Sequence, residues 1–196
     1  YRFSTFRTDD QDVANERHET GLAWVFGQER ATIDDDLELV AGLRCDQHTV
    51  TGTILSPRLA LVWQFDKPEG APADADVQKQ HGRVQSLRAS YGEGFRNPSL
   101  REIWFQMPFA TGSGSVLGNR DLDPEKIRSF ELAWDLRDPS GTSASVSTFY
   151  NLVSNLIDFG FQGDDYVPNN QPADRAYGFE VTGEQLLWRH FSAFAN

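Results

Sequence analysis

The chain has 196 residues, which is enough for one domain with a hydrophobic core or for one piece of a larger domain. Its 29 acidic and 18 basic residues give a formal net charge of −11, which repels a phosphate backbone and argues against nucleic acid as a partner. Cys45 is the only cysteine, so an internal disulfide and a cysteine metal cluster are both excluded. Residues 1–8 contain neither an initiator Met nor an apolar signal core, so we expect the chain to be part of a longer protein.

Apolar and polar residues alternate along most of the chain, whereas the spacing of an amphipathic helix hardly occurs. Between residues 37 and 45 the odd positions are Leu, Ala or Cys, and Glu38 and Arg44 lie on the other face. The segments 56–65, 129–137 and 176–184 repeat this pattern. The longest purely apolar run, Leu59–Trp63, is far shorter than the roughly 20 residues of a membrane helix, but a transmembrane strand needs only about 9–11.

The alternation predicts an all-β protein of about nine strands, near residues 1–8, 22–32, 37–46, 56–65, 84–95, 128–137, 143–157, 176–188 and 191–196. The connections at 33–36, 138–142 and 189–190 are short, and those at 9–21, 47–55, 96–127 and 158–175 are longer. Short turns at one end and long loops at the other are typical of an outer-membrane barrel. We therefore predict an antiparallel transmembrane β-barrel fragment. The connection at 66–82 is an exception, because it is long although it lies at the end with the short turns. The alternative fold is a soluble β-sandwich, whose strands alternate between apolar and polar residues in the same way.

Aromatic residues favour the membrane interpretation. The chain contains 14 Phe, 5 Trp and 5 Tyr, many of them near predicted strand ends. Membrane barrels place such rings at the two interfaces, where the apolar ring and its polar tip are both satisfied. A soluble core could also bury these rings. We favour an interfacial girdle because the opposite faces of the strands are polar.

The sequence Gly92-Glu93-Gly94 suggests a phosphate-binding loop, but it lacks the glycine spacing, the lysine and the following helix of that motif. We instead expect these glycines to let a strand leave the sheet and bend. Histidines at four dispersed positions give no metal-ligand spacing.

Two acidic segments resemble calcium loops incompletely. One contains Asn119, Asp121, Asp123 and Glu125, and the other is the acidic group in residues 9–16. Neither has the glycine and the terminal glutamate of the twelve-residue pattern. For Asp123-Pro124-Glu125 we prefer a helical N-cap followed by proline at the first helical position. Calcium binding at residues 9–16 stays an open alternative.

Three passages in order resemble the barrel of TonB-dependent outer-membrane receptors. Residues 88–105 (RASYGEGFRNPSLREIWF) are similar to the family form YGxGFRAPSLxELY, and residues 118–132 (GNRDLDPEKIRSFEL) are similar to GNPxLKPExSxSxEL. The third passage runs from Ser147 to Ile157 (STFYNLVSNLI), continues at Asn169-Asn170 and ends at residues 176–180 (AYGFE).

This resemblance implies a 22-stranded barrel in the outer membrane of a Gram-negative cell, filled by an N-terminal plug. External loops would capture a scarce bulky ligand such as a ferric siderophore, TonB would drive import, and neither a catalytic activity nor a cofactor is implied. About nine strands cannot close such a barrel, so residues 1–196 are expected to be a partial barrel without its plug and remaining strands.

The resemblance also directs attention to aromatic and polar residues of the long loops. Those expected to bind the ligand are Arg96, Asn97, Arg101, Trp104, Phe105 and Tyr166. For each of them, loop packing or capping is the competing role. Four carboxylates on the polar strand face are expected to contact the plug or water: Glu131, Asp135, Glu180 and Glu184. The alternative function is a soluble carbohydrate-binding module, whose aromatic residues would stack on sugar rings.

Overall fold

The structure is a computed structural model that describes residues 2–7, 19–66, 82–110, 112–188 and 191–195. Nine strands form one antiparallel sheet, the wall, in the order β1-β2-β3-β4-β5-β8-β9-β12-β13. Their bounds are β1 (Arg2–Arg7), β2 (Glu19–Asp34), β3 (Leu37–His48), β4 (Gly52–Asp66), β5 (Val84–Arg96), β8 (Glu125–Asp138), β9 (Thr142–Ser154), β12 (Asp174–Trp188) and β13 (Phe191–Ala195). A short helix, α1 (Leu100–Trp104), and four short strands, β6 (Gln106–Pro108), β7 (Ser115–Leu117), β10 (Ile157–Gln162) and β11 (Asp165–Asn170), lie between wall strands.

One face of the wall is a continuous apolar band. The strand register aligns Leu61 with Ala89, Ala89 with Leu132, and Leu132 with Thr148, which in turn pairs with Phe179. These side chains stay uncovered: Leu61 is 38% exposed, Leu132 45% and Phe179 77%. An apolar surface of this extent marks contact with lipid or with another apolar partner.

The opposite face is polar. Asp46 is fully buried and accepts two hydrogen bonds from the guanidinium of Arg44, at 2.6 and 2.8 Å. Arg88 forms an ion pair with Glu131 at 3.4 Å across β5 and β8. The strand register confirms that the four carboxylates singled out in the sequence share this face with Arg88, namely Glu131, Asp135, Glu180 and Glu184.

No second layer packs on the wall in the part of the chain that the structure describes. Among the described residues, few apolar side chains are buried: Ile54, Ile103, Phe105, Leu122 and Ala133, together with Pro98, Pro124 and Pro168. A β-sandwich needs two packed inner faces about 10 Å apart, so this arrangement does not favour the soluble alternative. A single antiparallel sheet with one apolar and one polar face is the arrangement expected of part of a barrel wall.

The nine predicted strands are confirmed, and most boundaries agree within a few residues. The prediction of a longer connection at 47–55 is wrong, because β3 and β4 pair as far as His48 and Gly52 and leave only residues 49–51 between them. The prediction that Gly92 and Gly94 let the strand leave the sheet is also wrong, because both glycines remain paired with β8 in a strand that continues to Arg96. The predicted loop at 9–21 and the connection at 66–82 lie largely outside the described residues.

Two of the three predicted short turns are confirmed at one end of the wall, and the third, at 189–190, lies outside the described residues. Residues 35–36 connect β2 to β3, and residues 139–141 connect β8 to β9. At the other end, residues 97–124 connect β5 to β8 and residues 155–173 connect β9 to β12; these two segments are named the first and the second long loop. No helix in the described part of the chain has the length and apolar composition to cross a membrane.

Candidate functional site

The first long loop begins with a capped helix. Ser99 has extended backbone angles, and its side chain accepts a hydrogen bond from the Glu102 amide at 3.2 Å, while the Glu102 carboxylate accepts from the Ser99 amide at 2.6 Å. This reciprocal pair is a capping box, which satisfies two free amides at the start of α1. The helix is therefore fixed at the point where the chain leaves β5.

Gly118 brings the returning part of this loop against the helix. Its amide donates to the Phe105 carbonyl at 2.5 Å, and the next amide, of Asn119, donates to the Glu102 carbonyl at 2.8 Å. A Cβ at position 118 would lie 2.6 Å from the carbonyl carbon and oxygen of Ile103. Only glycine allows this close approach of two backbone segments.

The second long loop contains a hairpin. Asn155 turns the chain out of β9 with a φ of 57°, a conformation that Asn tolerates better than most residues. β10 and β11 then pair from Ile157–Asn170 to Gln162–Asp165, with a two-residue turn that contains Gly163 at a φ of 65°. The sequence predicted only a loop for this segment.

The two long loops join to form one four-stranded sheet in the order β10-β11-β7-β6, named the loop sheet. β7 pairs with β11 in parallel at Val116 and Tyr166. The side-chain amide of Asn119 donates to the Pro168 carbonyl at 3.0 Å, and the amide of Ser115 donates to the Asp165 carboxylate at 2.8 Å. These bonds hold the loops together as a single body.

Asn170 joins the second long loop to the backbone of the first. Its side-chain oxygen accepts from the Asp123 amide at 2.8 Å, and its side-chain nitrogen lies 2.9 Å from the Asp123 carbonyl and 2.8 Å from the Asn155 carbonyl. The predicted helical N-cap at Asp123-Pro124-Glu125 is therefore wrong. Glu125 begins β8, and the backbone of Asp123 is bound by the second long loop.

Glu125 joins the base of both loops to the wall. Its carboxylate accepts two hydrogen bonds from Arg96 at 2.6 and 2.7 Å and one from the Ile157 amide at 2.8 Å. Arg96 also donates to both oxygens of Glu102 at 3.0 and 3.1 Å. One arginine between two carboxylates thus connects β5, α1, β8 and β10, and this set is named the loop-base cluster (Arg96, Glu102 and Glu125).

The electrostatics of the cluster favour its charged form. Hydrogen bonds from Arg96 lower the pKa of Glu125 below its ordinary value despite burial. Burial alone would raise the pKa of Glu102, but the bonds from Arg96 and Ser99 outweigh it and lower the pKa. The two carboxylates in turn raise the pKa of Arg96.

Aromatic side chains cover part of the loop sheet. The Tyr166 ring lies 5.5 Å from Phe159, nearly parallel to it, and 5.0 Å from Phe161 at a tilt. Phe161 is 71% exposed. These three residues, named the aromatic cluster, offer an apolar surface with one hydroxyl, which suits contact with an aromatic or mixed-polarity ligand.

The helix carries two cation–aromatic contacts. The guanidinium of Arg101 lies 4.7 Å from the centre of the Phe105 ring, and that of Arg120 lies 4.1 Å from the Trp104 ring. Phe105 is buried under the loop, whereas Arg101 is exposed. Arg101 is therefore the cation on this helix that a ligand could reach.

The six residues predicted to bind ligand fall into two groups. Three of them, Arg96, Asn97 and Phe105, have partners within the protein. The Asn97 side-chain oxygen accepts a hydrogen bond from the Thr51 hydroxyl at 2.8 Å. This pair lies beside His48, a buried histidine whose pKa is lowered by its burial. The other three make ring contacts, Arg101 with Phe105, Trp104 with Arg120, and Tyr166 with Phe159 and Phe161. Of these three, Arg101 is exposed, and Trp104 and Tyr166 are half-buried. Sequence reasoning missed Phe159 and Phe161, although the alternation in DFGFQ followed by Gly163-Asp164 signals a hairpin.

The described residues contain no group of three or more His, Cys, Asp or Glu side chains placed to hold a metal ion. The acidic residues at 9–16, where calcium was an open alternative, lie outside the described residues. The carboxylate of Glu125, part of the other acidic segment, is occupied by Arg96. The arrangement that remains is a surface formed by the two joined loops at one end of the wall.

Comparison with known proteins agrees with this architecture. The family described as "TonB dependent receptor-like, beta-barrel" matches residues 1–196. The chain is 26% identical over 146 residues to the iron-regulated outer membrane virulence protein of Vibrio cholerae serotype O1, a match that covers 74% of this chain and 20% of the relative. It is 31% identical over 114 residues to the hemoglobin and hemoglobin-haptoglobin-binding protein A of Haemophilus influenzae, covering 52% of this chain and 10% of that protein.

A solved structure gives the same fold. The siderophore receptor PirA from Pseudomonas aeruginosa superposes with a TM-score of 0.76 at 17% identity, covering 97% of this chain and 33% of that one. The chain thus spans about a fifth of the length of the Vibrio relative and a third of this structural neighbour.

Proposed function

We propose that this chain, which belongs to the TonB-dependent receptor-like β-barrel family of the outer membrane, forms part of the wall and the ligand-binding loops of a receptor for energised uptake of a ferric siderophore. The observation that carries the proposal is the loop sheet, because it joins the hairpin that carries the aromatic cluster to the long loop that carries Arg101. Preformed surfaces bind with a smaller entropic cost than mobile loops.

The chemistry of this surface fits an iron chelate. Ferric siderophores are bulky and carry planar or aromatic groups together with negative charge. Stacked rings such as Tyr166 and Phe159 provide flat apolar contact, and the exposed guanidinium of Arg101 provides a cation. The names of the relatives, which refer to iron regulation and to siderophore receptors, support the same ligand class.

We further propose that TonB supplies the energy for import through parts of the receptor outside residues 1–196. Energised import separates binding from uptake, because binding at the surface loops needs no energy source. In cells that lack TonB, we therefore expect ferric siderophore to bind at the cell surface and not to accumulate inside.

The test is uptake of radiolabelled iron by iron-limited cells that express the protein, with a panel of ferric siderophores and with hemoglobin, which one relative is named for. A Phe161→Ala/Tyr166→Ala variant should lower affinity for the transported ligand about 10-fold or more, since each aromatic contact is worth roughly 0.5–1.5 kcal/mol beyond its buried area. Val50→Ala, an exposed apolar residue in the β3–β4 turn, is the control and should leave uptake unchanged. Absence of uptake for every iron source would refute the proposed ligand class.

A further inference from the structure

Three basic side chains share the apolar face of the wall near its long-loop end. Arg128 on β8 pairs in register with Leu152 on β9, and Leu152 pairs with Arg175 on β12. Lys126 lies two residues farther along β8, on the same face, and pairs with Ser154. Lys126, Arg128 and Arg175, all exposed, are named the basic patch.

A row of aromatic rings lies directly beside the basic patch, toward the middle of the wall. The register aligns Tyr91 with Phe130, Phe130 with Tyr150, and Tyr150 with Tyr177 across four strands. The Tyr91 and Phe130 rings are 4.9 Å apart, and Tyr150 stacks on Tyr177 at 6.5 Å. Such a row on the lipid-facing side marks the membrane interface, so the basic patch lies at the level of the lipid headgroups.

The patch is a local excess of positive charge on an acidic chain. Its acidic neighbour is Glu93, which accepts a hydrogen bond from the Tyr91 hydroxyl and forms an ion pair with Arg128 at 3.4 Å. Among the described residues, neither Lys126 nor Arg175 forms an ion pair. The chain as a whole carries a net charge of −11, so general basicity does not explain three cations on one small outward surface.

We infer that the basic patch binds the phosphate groups of an anionic lipid headgroup in the outer leaflet. Neighbouring strands are about 4.8 Å apart, so the backbones of Arg128 and Arg175 are separated by roughly 10 Å, and Lys126 lies roughly 7 Å from Arg128 along the strand. Two guanidinium groups at this separation can each bind a phosphate in bidentate geometry. Cations at a membrane surface also attract anionic lipids over about a Debye length.

The surroundings favour a lipid over free phosphate. Leu152 lies between the two arginines, and the rings of Tyr150 and Tyr177 continue the same face toward the apolar band. A headgroup bound by the patch therefore places its acyl chains along the apolar wall, whereas free phosphate would gain nothing from Leu152 or the rings. This inference concerns the lipid-facing side of the wall and is independent of the ligand bound by the loop sheet.

The experiment measures retention of lipopolysaccharide by the intact protein purified in detergent, with native mass spectrometry as the readout. The wild type should bind lipopolysaccharide, and an Arg128→Gln/Arg175→Gln variant should bind it roughly 30-fold more weakly, as expected for the loss of two basic residues near an anionic surface. Binding should also weaken as the salt concentration rises. The matched control is Arg58→Gln/Arg137→Gln, which removes two arginines from the polar face and should leave binding unchanged.

Three further arms separate the possible outcomes. Enzymatically dephosphorylated lipopolysaccharide should bind the wild type as weakly as intact lipopolysaccharide binds the double variant. Inorganic phosphate at millimolar concentration should not displace the lipid, and effective displacement would overturn the assignment to a lipid. Mobility in unheated SDS gels verifies that each variant is folded, and equal lipid retention by a folded Arg128→Gln/Arg175→Gln variant and the wild type would overturn the inference.

Discussion

Replacing Glu125 by Gln tests whether the loop-base cluster fixes both long loops to the wall. The substitution keeps the shape of the side chain and one oxygen acceptor but removes the negative charge opposite Arg96. In the native protein this carboxylate accepts two hydrogen bonds from Arg96 and one from the Ile157 amide. We expect the wall to remain intact and the loop sheet to open more often.

The magnitude follows from the exposure of the two partners. Hydrogen bonds to charged groups contribute about 1.5–3 kcal/mol when sheltered, whereas exposed ion pairs contribute about 0.2–1 kcal/mol. The Glu125 side chain is 15% exposed and that of Arg96 is 46% exposed, so solvent screening reduces the expected loss to about 1–2 kcal/mol. This loss corresponds to a roughly 5- to 30-fold increase in the population of opened loops.

Hydrogen–deuterium exchange of the purified protein in detergent measures this population directly. Amides of residues 157–170 and 115–119 should exchange about 5- to 30-fold faster in Glu125→Gln, while the centres of β8 and β9 should not change. Glu131→Gln is the matched control, because this glutamate lies on the same strand and its ion pair with Arg88 is long, at 3.4 Å, and nearly half exposed on both sides. Exchange of the second long loop within twofold of the wild type in Glu125→Gln would refute the reasoning.

Three other perturbations probe the same region. Gly118→Ala should destabilise the packing of the first long loop against the helix by several kcal/mol, because the added Cβ would lie 2.6 Å from the backbone carbonyl of Ile103. Proteolysis at residues 106–117 should therefore increase. Gly183→Ala, where a Cβ meets nothing within 4 Å, is the control and should not show this effect. Asn170→Ala removes three hydrogen bonds to the backbone of Asp123 and Asn155 and should raise exchange at residues 155–173 by about 10-fold or more, with no change expected from Gln171→Ala. The pKa values of Glu102 and Glu125 are lowered in the folded protein. Their contribution to the stability of the loops is therefore complete above the ordinary pKa of 4.5 and is lost as the pH falls through the lowered values. Hydroxyl-radical labelling of Tyr166 should rise in acid for the wild type, and a Glu102→Gln/Glu125→Gln variant should show high labelling at every pH.

The wall was predictable from the sequence because its strands alternate with period two and one face is lipid-exposed. A shift of one residue would turn Leu132 and Trp134 to the polar side, so the pattern fixes both the strands and their register. The loop sheet was not predictable in the same way. β6 and β7 have three residues each, which is too short for alternation to be distinguished from a loop. The pairing of β7 with β11 depends on contacts about 50 residues apart.

The candidate binding residues show a similar division. Arg96 and Tyr166 were singled out by residue type and position, but type alone does not tell which arginine is held by carboxylates and which is free to meet a ligand. Glu102 and Glu125 decide this for Arg96, and they come from segments 23 residues apart in the sequence. The predicted helical N-cap at Asp123-Pro124-Glu125 was wrong for the same reason, because the partner of Asp123 is Asn170 on the other loop.

The arrangement separates the residues that fix the loops from those that a ligand can contact. Closing two loops of this length costs conformational entropy that grows slowly with length, and the loop-base cluster together with the contacts of Asn119 and Asn170 offsets this cost near the wall. The aromatic cluster on the β10–β11 hairpin makes none of these polar contacts. Substitutions of Phe161 should therefore change ligand affinity with little effect on loop stability, and substitutions of Glu125 should do the reverse. Such a division would allow the ligand preference of the surface to vary while the loop sheet is retained.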